Sequence, residues 1–273
     1  MTALETAGTD ELRNSILPYS LIVGQEELKL ALEIASVVPS VGGVLISGQR
    51  GTAKTTTVRA FAVMLTECLP TTLPIGVTED RVLSGWKVKS LIRGIPEPQP
   101  GLLQEAAESP ARMLYIDEVN LLDDYIVNIT LDALSTKILA VDRDHLKLEP
   151  RLVRFTLVGT MNPDEGWLRP QLLDRFALMT QVEATPSADE RRKILETVVE
   201  FDRQGGNPRG KFIGTARRDD REKRRQLEAA RRLAPKLPFA GDVLETCARL
   251  AARYEAAGHR GELAVIRAAR ALS

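Results

Sequence analysis

The stretch GGVLISGQRGTAKTTTVRAFAVML, residues Gly42–Leu65, decides the fold class of this chain. It begins with a short apolar run, Gly42–Gly48, which predicts a buried strand. A glycine-containing loop follows, and apolar residues then recur at helical spacing from Lys54 onward. A strand, a glycine loop and a helix in this order are typical of an α/β protein with a parallel sheet.

The loop itself, GQRGTAKTTT, nearly matches the phosphate-binding pattern G-x-x-x-x-G-K-[ST]. In that pattern backbone N–H groups surround the phosphates, Lys54 reaches the β- and γ-phosphates, and Thr55 places its hydroxyl on Mg²⁺. The loop departs from the pattern at Ala53, which stands where a glycine is usual. The substitution costs little if the φ angle of Ala53 is negative, and about 1 kcal/mol or more if it is positive. Because no N–H is lost, we expect the loop to hold ATP.

Two more predicted strands end in polar residues that suit the binding of Mg²⁺ and the hydrolysis of a bound nucleotide. RMLYIDE, residues Arg112–Glu118, is an apolar strand that ends in Asp117 and Glu118, and Asn162 follows a strand at Phe155–Thr160. Ligands of open α/β sheets bind at the carboxyl ends of the strands. We therefore expect Asp117 to hold Mg²⁺, Glu118 to polarise the attacking water and Asn162 to orient it. The alternatives are a helix cap for the Asp-Glu pair and a turn for the Asn that precedes a proline.

The rest of the chain predicts further helices and strands, followed by a helical region. A helix is expected over Val119–Leu139, a β-hairpin near Val141–Arg154 and a last strand at Leu178–Glu183. After Thr185-Pro186 the pattern is helical, and we see no convincing strand. We therefore predict two domains, an α/β nucleotide-binding domain over 1–186 and a smaller all-helical lid domain over 187–273.

Composition and charge exclude several classes of protein. Lys plus Arg and Asp plus Glu number 37 each, so the net charge predicts no particular partner. The basic segment Arg203–Lys236 is typical of a solvated helical face or of a docking surface for an acidic partner. Its one aromatic residue, Phe212, forms no interleaved pattern that could stack bases, so nucleic acid is not favoured. The isolated Cys and His residues form no metal-binding spacing. No secretion signal or membrane-spanning run is found, which favours a cytoplasmic protein.

Several segments together resemble the AAA+ ATPases, and more closely the I subunit family of magnesium chelatase. The resemblance rests on IVGQEELKLAL (Ile22–Leu32), GVTEDRVLSG (Gly76–Gly85), LYIDEVNLLDD (Leu114–Asp124) and LVGTMNPDEGWLRPQLLDRF (Leu157–Phe176). It continues more weakly in HRGELAVIRAARAL (His259–Leu272). It implies a P-loop NTPase core with a helical lid, and ATP and Mg²⁺ as cofactors.

The resemblance also implies a role for individual residues. Asp117 and Glu118 would be the Walker B pair, Asn162 the sensor-1 residue, Arg175 a trans-acting arginine finger and Arg267 the sensor-2 arginine. Mg²⁺ would be held by a threonine of the Walker A loop and by the Walker B aspartate, Thr55 and Asp117. The expected nucleotide-binding residues are Val23, Gly24 and Gln25 beside the adenine, and Gly48, Gly51, Thr52, Ala53, Lys54, Thr55 and Thr56 in the Walker A loop. A surface salt bridge of Arg175 with Asp174, and a surface position of Arg267, are the alternatives for the two arginines.

The function that the resemblance implies is that of an ATP-hydrolysing motor. It would assemble as a ring, expected to be a hexamer, and drive a magnesium or cobalt chelatase partner that carries a von Willebrand A domain. A MoxR-like remodelling ATPase that acts on such a domain, and a nucleotide-gated scaffold with little turnover, stay as alternatives. The family continues past the segment that ends at Leu272, so a reduced lid or a trimmed chain is expected. No residue identifies the metal or the tetrapyrrole.

Overall fold

A five-stranded parallel sheet forms the centre of the protein. The computed structural model describes residues 12–87, 90, 92–94, 97–143, 146–207, 210–239, 241–256 and 258–273. The strands of the sheet are β1 (Gly43–Gly48), β2 (Thr71–Leu73), β5 (Met113–Ile116), β8 (Thr156–Met161) and β9 (Phe176–Val182). They lie in the order β2-β5-β8-β1-β9, and each neighbouring pair is parallel. All carboxyl ends therefore meet at one edge of the sheet.

Helices cover both faces of this sheet and form the C-terminal part of the chain. Those that lie between or before the strands are α1 (Glu26–Val37), α2 (Lys54–Thr66), α3 (Glu79–Val82), α4 (Leu102–Glu108), α5 (Asp124–Thr136) and α6 (Pro170–Leu173). Four further helices follow β9, namely α7 (Ala188–Arg203), α8 (Lys211–Leu233), α9 (Gly241–Arg253) and α10 (Arg260–Leu272). No helix in the described ranges has the length and apolar character that crossing a bilayer requires.

The alternation of side chains along the strands explains why both faces are covered. In β1, Leu45 packs into the core that contains α4 and α5, while Val44 and Ile46 pack into the core that contains α1 and α2. All three side chains are fully buried. Successive residues of a strand point to opposite faces, so an unbroken apolar strand needs a hydrophobic layer on each side.

Two antiparallel hairpins are added to this core. β3 (Ser84–Trp86) pairs with β4 (Pro98–Pro100) between α3 and α4. β6 (Ile138–Arg143) pairs with β7 (Leu146–Leu152) directly before β8. The second hairpin confirms the one predicted near Val141–Arg154.

The C-terminal helices pack on the α1 side of the sheet. Helix α8 contacts α1, α2 and the 3-10 turn Tyr19–Leu21. Its buried Asp220 accepts hydrogen bonds from the backbone N–H groups of Tyr19 (3.2 Å) and Ser20 (2.8 Å). Helix α10 contacts α1 and β9. The helical region is thus joined to the α/β part by specific polar contacts as well as by apolar packing.

The predicted fold class is confirmed, with one correction to a helix boundary. The four predicted core strands correspond to β1, β5, β8 and β9. The helix expected over Val119–Leu139 is shorter and begins at Asp124, because Asp123 caps it by accepting a hydrogen bond from the N–H of Tyr125. The division into domains near residue 186 stays a prediction.

Candidate functional site

The loop after β1 has the backbone geometry of a phosphate cradle. Gly48 must be a glycine, because a Cβ atom there would lie 2.2 Å from the carbonyl oxygen of Val182. Gly51 has a φ angle of 79°, and Ala53 has φ 62° and ψ 19°. Ala53 is the N-cap of α2 and, among the described residues, no side chain caps the first N–H groups of that helix. These donors point to the position where an anion binds at a helix N-terminus.

Lys54 folds back over the same loop. Its Nζ donates to the carbonyl oxygens of Gly48 (2.5 Å) and Gln49 (2.7 Å). Burial lowers the pKa of its ammonium group, against the opposing attraction of Asp117, Glu118 and Glu165. A cation held by neutral carbonyl groups gains more from an anionic ligand than from its present partners. Lys54 is therefore placed to bind phosphate oxygens.

Asp117 follows β5 and lies in a network of hydroxyl groups. Its Oδ1 accepts hydrogen bonds from the hydroxyl groups of Thr160 (2.7 Å) and Tyr115 (2.9 Å). The Oγ1 atom of Thr55 lies 3.0 Å from the Tyr115 hydroxyl and 3.5 Å from both carboxylate oxygens of Asp117. Burial raises the pKa of Tyr115 to about 12. The loop after β1 and the end of β5 thus meet at one point.

Glu118 lies on the solvent side of this network. Its backbone has φ 56°, and its N–H donates to Thr160 Oγ1 at 3.2 Å. The Nη2 atom of Arg50 lies 3.3 Å from Glu118 Oε1 and 2.6 Å from Glu165 Oε1. Arg50 therefore joins the two carboxylates across the mouth of the site.

Asn162, directly after β8, completes the group. Its side chain is buried, and its Oδ1 accepts a hydrogen bond from the N–H of Asp164 at 3.3 Å. This bond makes Asn162 the N-cap of the turn Pro163–Glu165, as the turn alternative required. It also orients the amide so that its nitrogen is the group that can donate to a ligand.

Two cavities meet at the loop. A cavity of about 250 Å³ is lined by residues of the loop and of β5 and β8, including Lys54, Thr55, Asp117, Glu118, Thr160 and Asn162. A cavity of about 580 Å³ lies beside it and shares Gly51, Thr52, Ala53 and Thr56 with the first. Val23, Gly24 and Gln25 line this second cavity, where Gln25 Nε2 donates to the carbonyl oxygen of Thr52 at 3.1 Å. Ile194 and Val198 of α7 also line it.

Two predicted site residues lie away from these cavities within the chain. Arg175 precedes β9, at the amino end of the parallel strands, and pairs with Asp132 of α5 instead of Asp174. Arg267 Nη1 donates to the carbonyl oxygen of Ser40 at 2.7 Å, three residues before β1. Both guanidinium groups thus lie toward the sheet edge opposite the loop. The structure does not bring them into the nucleotide site of their own chain, so a sensor role of Arg267 there is not supported.

Sequence reasoning missed several residues that the structure places in the site. They are Arg50, Tyr115, Thr160 and Glu165, together with the α7 residues that line the larger cavity. A signal for two of them was present. Tyr115 precedes Asp117 by two positions, and Thr160 precedes Asn162 by two, which places each pair on one face of its strand.

The donor set fits a magnesium nucleotide. Thr55 and Asp117 supply oxygen atoms, the ligands that Mg²⁺ prefers, and they leave the remaining positions to water and phosphate. Uncapped N–H groups and Lys54 supply the matching donors for the phosphates. The larger cavity adds an apolar wall beside them, as a nucleobase needs.

A parallel sheet with this loop and these strand ends is that of a P-loop nucleotide-binding domain, and the comparisons with known proteins place it in the AAA class. The family model described as the AAA domain of the dynein-related subfamily matches residues 43–176. The magnesium-chelatase subunit ChlI homolog of Methanocaldococcus jannaschii is 37% identical, over 94% of this chain and 79% of that protein. The magnesium-chelatase 38 kDa subunit of Rhodobacter capsulatus is 37% identical, over 99% of this chain and 84% of that protein.

A solved structure of the complex between subunits BchI and BchD of magnesium chelatase also contains a similar chain. Its identity is 32% and its TM-score is 0.56, with coverage of 94% of this chain and 95% of that chain. This chain belongs to the magnesium-chelatase I subunit family of AAA+ proteins.

Proposed function

We propose that this protein is an ATP-hydrolysing motor subunit, which works in a ring and drives a partner chelatase. The single observation that carries the proposal is the convergence of Lys54, Asp117, Glu118 and Asn162 around one cavity. These residues come from the loop after β1 and from the ends of β5 and β8, and they supply a phosphate-binding cation, a metal-binding carboxylate, a general base and a water-orienting amide for phosphoryl transfer to water.

The chain binds the adenine in the larger cavity and the phosphates at the loop after β1. Ile194, Val198 and Val23 offer apolar contacts to the adenine, and the N–H groups of the loop donate hydrogen bonds to the phosphates. Lys54 exchanges its two carbonyl partners for β- and γ-phosphate oxygens. Thr55 and Asp117 would hold Mg²⁺, which would supply positive charge against the phosphates. The energy gained by these groups offsets the loss of the hydrogen bonds that Lys54 makes to the loop.

Glu118 acts as the general base in the hydrolytic step. Its carboxylate polarises a water molecule, which attacks the γ-phosphorus as the bond to the β-phosphate oxygen breaks. The side-chain amide of Asn162 orients the same water. Arg50 holds Glu118 before this step, so the glutamate must exchange its guanidinium partner for water.

The partners follow from the relatives. The similar solved chain belongs to a complex of two magnesium-chelatase subunits, which supports a second subunit as the client of this motor. We expect that subunit to carry a von Willebrand A domain and the metal-inserting chemistry, and the ring to form in the cytoplasm. Arg175, which lies outside its own nucleotide site, is free to serve the site of a neighbouring subunit once it leaves Asp132.

Glu118→Gln tests the proposal. We expect the variant to bind MgATP as the wild type does and to release phosphate at least about a hundredfold more slowly, because a general base contributes that much. Both quantities are measured by nucleotide titration and steady-state phosphate release, with and without a candidate partner subunit.

Glu245→Gln is the matched control, since Glu245 is exposed on α9 and pairs only loosely with Arg249. It should leave turnover unchanged. A wild type that binds MgATP but shows no turnover at any protein concentration, with or without partner, would contradict the motor and leave a nucleotide-gated scaffold.

A further inference from the structure

The buried hydroxyl group of Tyr115 touches both residues that we assign to Mg²⁺. Its side chain is 0% exposed, at the end of β5. A phenylalanine would fill the same space without a polar atom to bury, and a buried hydroxyl is costly unless it is hydrogen-bonded. The nearest partners of this hydroxyl are Asp117 Oδ1 at 2.9 Å and Thr55 Oγ1 at 3.0 Å, and Thr160 Oγ1 lies farther away at 3.4 Å.

The hydrogen atoms of this network can be assigned by counting. A carboxylate only accepts, so Thr160 and Tyr115 each donate their single hydroxyl proton to Asp117 Oδ1, and the longer contact between Thr160 and Tyr115 contains no proton. In the contact between Thr55 and Tyr115, the threonine must then donate and the tyrosine oxygen must accept. The Thr55 proton is therefore directed toward Tyr115, and the lone pairs of Thr55 Oγ1 point elsewhere.

This arrangement is the one that a metal-binding hydroxyl needs. A threonine oxygen can bind a cation only through a lone pair, so its proton must have an acceptor on another side. The Asp117 carboxylate is oriented in the same way, because Oδ1 accepts from both Tyr115 and Thr160, while Oδ2 has, among the described residues, only the long contact to Thr55. Oδ2 is thus the oxygen left for a metal-bound water.

We propose that Tyr115 is a positioning residue for Mg²⁺, which takes the proton of Thr55 and donates its own to Asp117 so that both oxygens face the cation. The inference rests on the proposed function, since it assumes that Thr55 and Asp117 bind Mg²⁺ with the nucleotide. Without the tyrosine hydroxyl, Thr55 would donate directly to Asp117, which is 3.5 Å away. That bond would occupy the carboxylate lone pairs that the metal-bound water needs.

Tyr115→Phe removes the hydroxyl and keeps the ring. The experiment measures the affinity for a fluorescent, non-hydrolysable ATP analogue in excess EDTA, and then the Mg²⁺ concentration that gives half of the metal-dependent gain in affinity. We expect this Mg²⁺ concentration to rise about tenfold, the loss typical of an outer-shell partner. The affinity in EDTA should stay unchanged, because Tyr115 makes no contact to the phosphate loop other than Thr55 in the described structure.

Tyr19→Phe is the matched control. Tyr19 is also buried, and its hydroxyl donates to Glu33 at 3.0 Å, outside the two cavities of the nucleotide site. Its loss should leave the Mg²⁺ requirement as in the wild type. Thermal unfolding of each variant, recorded without nucleotide, separates a loss of metal binding from a loss of folded protein.

A double-mutant cycle with Thr55→Val is a second test of the positioning role. Once the threonine hydroxyl is gone, Tyr115→Phe should add little to the Mg²⁺ requirement, because the two groups act as one unit. An unchanged Mg²⁺ requirement in Tyr115→Phe, or an equal loss of affinity with and without Mg²⁺, would overturn the positioning role alone. A wild type whose nucleotide affinity does not respond to Mg²⁺ would overturn the proposed function as well.

Discussion

Ala53 occupies the left-handed backbone position that begins α2, with φ 62° and ψ 19°. A residue with a Cβ atom is destabilised there by about 1–2 kcal/mol relative to its ordinary conformation. The φ angle of Ala53 is thus positive, which is the case in which the sequence predicts a cost of about 1 kcal/mol or more. The N–H groups of the loop are retained, so the strain lowers stability without removing a phosphate donor. A strained turn at a binding site is held in place by the rest of the structure.

Ala53→Gly should increase the free energy of unfolding by up to about 1 kcal/mol. Glycine relieves the left-handed strain, although it also gains more conformational freedom in the unfolded chain, which offsets part of the effect. Urea unfolding followed by circular dichroism measures the change.

Ala229→Gly is the control for this substitution. Ala229 is exposed in the C-terminal half of α8, four residues before its end, where the backbone is helical, so glycine should lower stability by about 1 kcal/mol. The two substitutions are chemically identical and should shift the unfolding midpoint in opposite directions. A loss of stability in both variants would contradict the backbone strain assigned to Ala53.

Helix α7 illustrates how an element can belong to a site without belonging to the core. It has apolar residues on one side, yet none of its residues is buried in the described structure. Ile194 is 38% exposed and lines the larger cavity, whereas its neighbour Leu195 is 65% exposed and does not. An adenine ring in this cavity would cover Ile194 and give the helix part of the packing that it lacks.

Ile194→Asp should weaken ATP and ADP binding by the same factor, about tenfold, because a carboxylate replaces apolar surface beside the base and not beside the γ-phosphate. Titration of both nucleotides without Mg²⁺ measures the effect. Leu195→Asp places the same charge one position away on the same helix and should leave both affinities unchanged. A loss confined to ATP would show that α7 contacts the phosphates and would contradict the assignment of the cavity to the base.

The elements that could be predicted from sequence were those with strong local patterns. The apolar strands β1, β5, β8 and β9 stand out from their surroundings, and the polar residues at their ends led directly to Lys54, Asp117 and Asn162. β2 has only three residues and was not predicted, because so short a run carries no periodicity. β3 and β4 are equally short, and β4 contains two prolines, which argue against a strand.

The parts of the site that escaped prediction depend on long-range contacts. Arg50 meets Glu118 and Glu165 only because three separate segments end at one sheet edge. The sequence alone indicates no partner for the hydroxyl of Tyr115, because its contact with Thr55 forms only when β5 and α2 pack together. The position of Arg267 also depends on the packing of α10 against α1, which the periodicity of the helix alone does not determine.

Among the described residues, the nucleotide site of a single chain lacks an arginine that is not already paired with carboxylates. In the described part of the chain, Arg50 and Lys54 are the cations that line the smaller cavity, and Arg50 is engaged by two carboxylates. Arg175 lies toward the opposite sheet edge, where its side chain is 28% exposed and pairs with Asp132. A ring of identical subunits with head-to-tail contacts would bring this arginine to the next site at every boundary. The central claim is therefore a composite site, with the base from one subunit and the arginine from its neighbour.

Mixing two inactive variants tests this claim most directly. Glu118→Gln lacks the base and keeps Arg175, while Arg175→Ala lacks the arginine and keeps Glu118. Each variant alone should bind MgATP with little turnover, since such an arginine contributes several orders of magnitude in rate.

In an equimolar mixture, random assembly would place an intact base beside an intact arginine at about one quarter of the subunit boundaries. Steady-state phosphate release should then recover to about a quarter of the wild-type rate and should rise with protein concentration. Arg169→Ala, which removes an exposed arginine paired with Asp124, is the control and should be active alone. A mixture as inactive as its components, or an Arg175→Ala variant with wild-type turnover, would contradict the composite site.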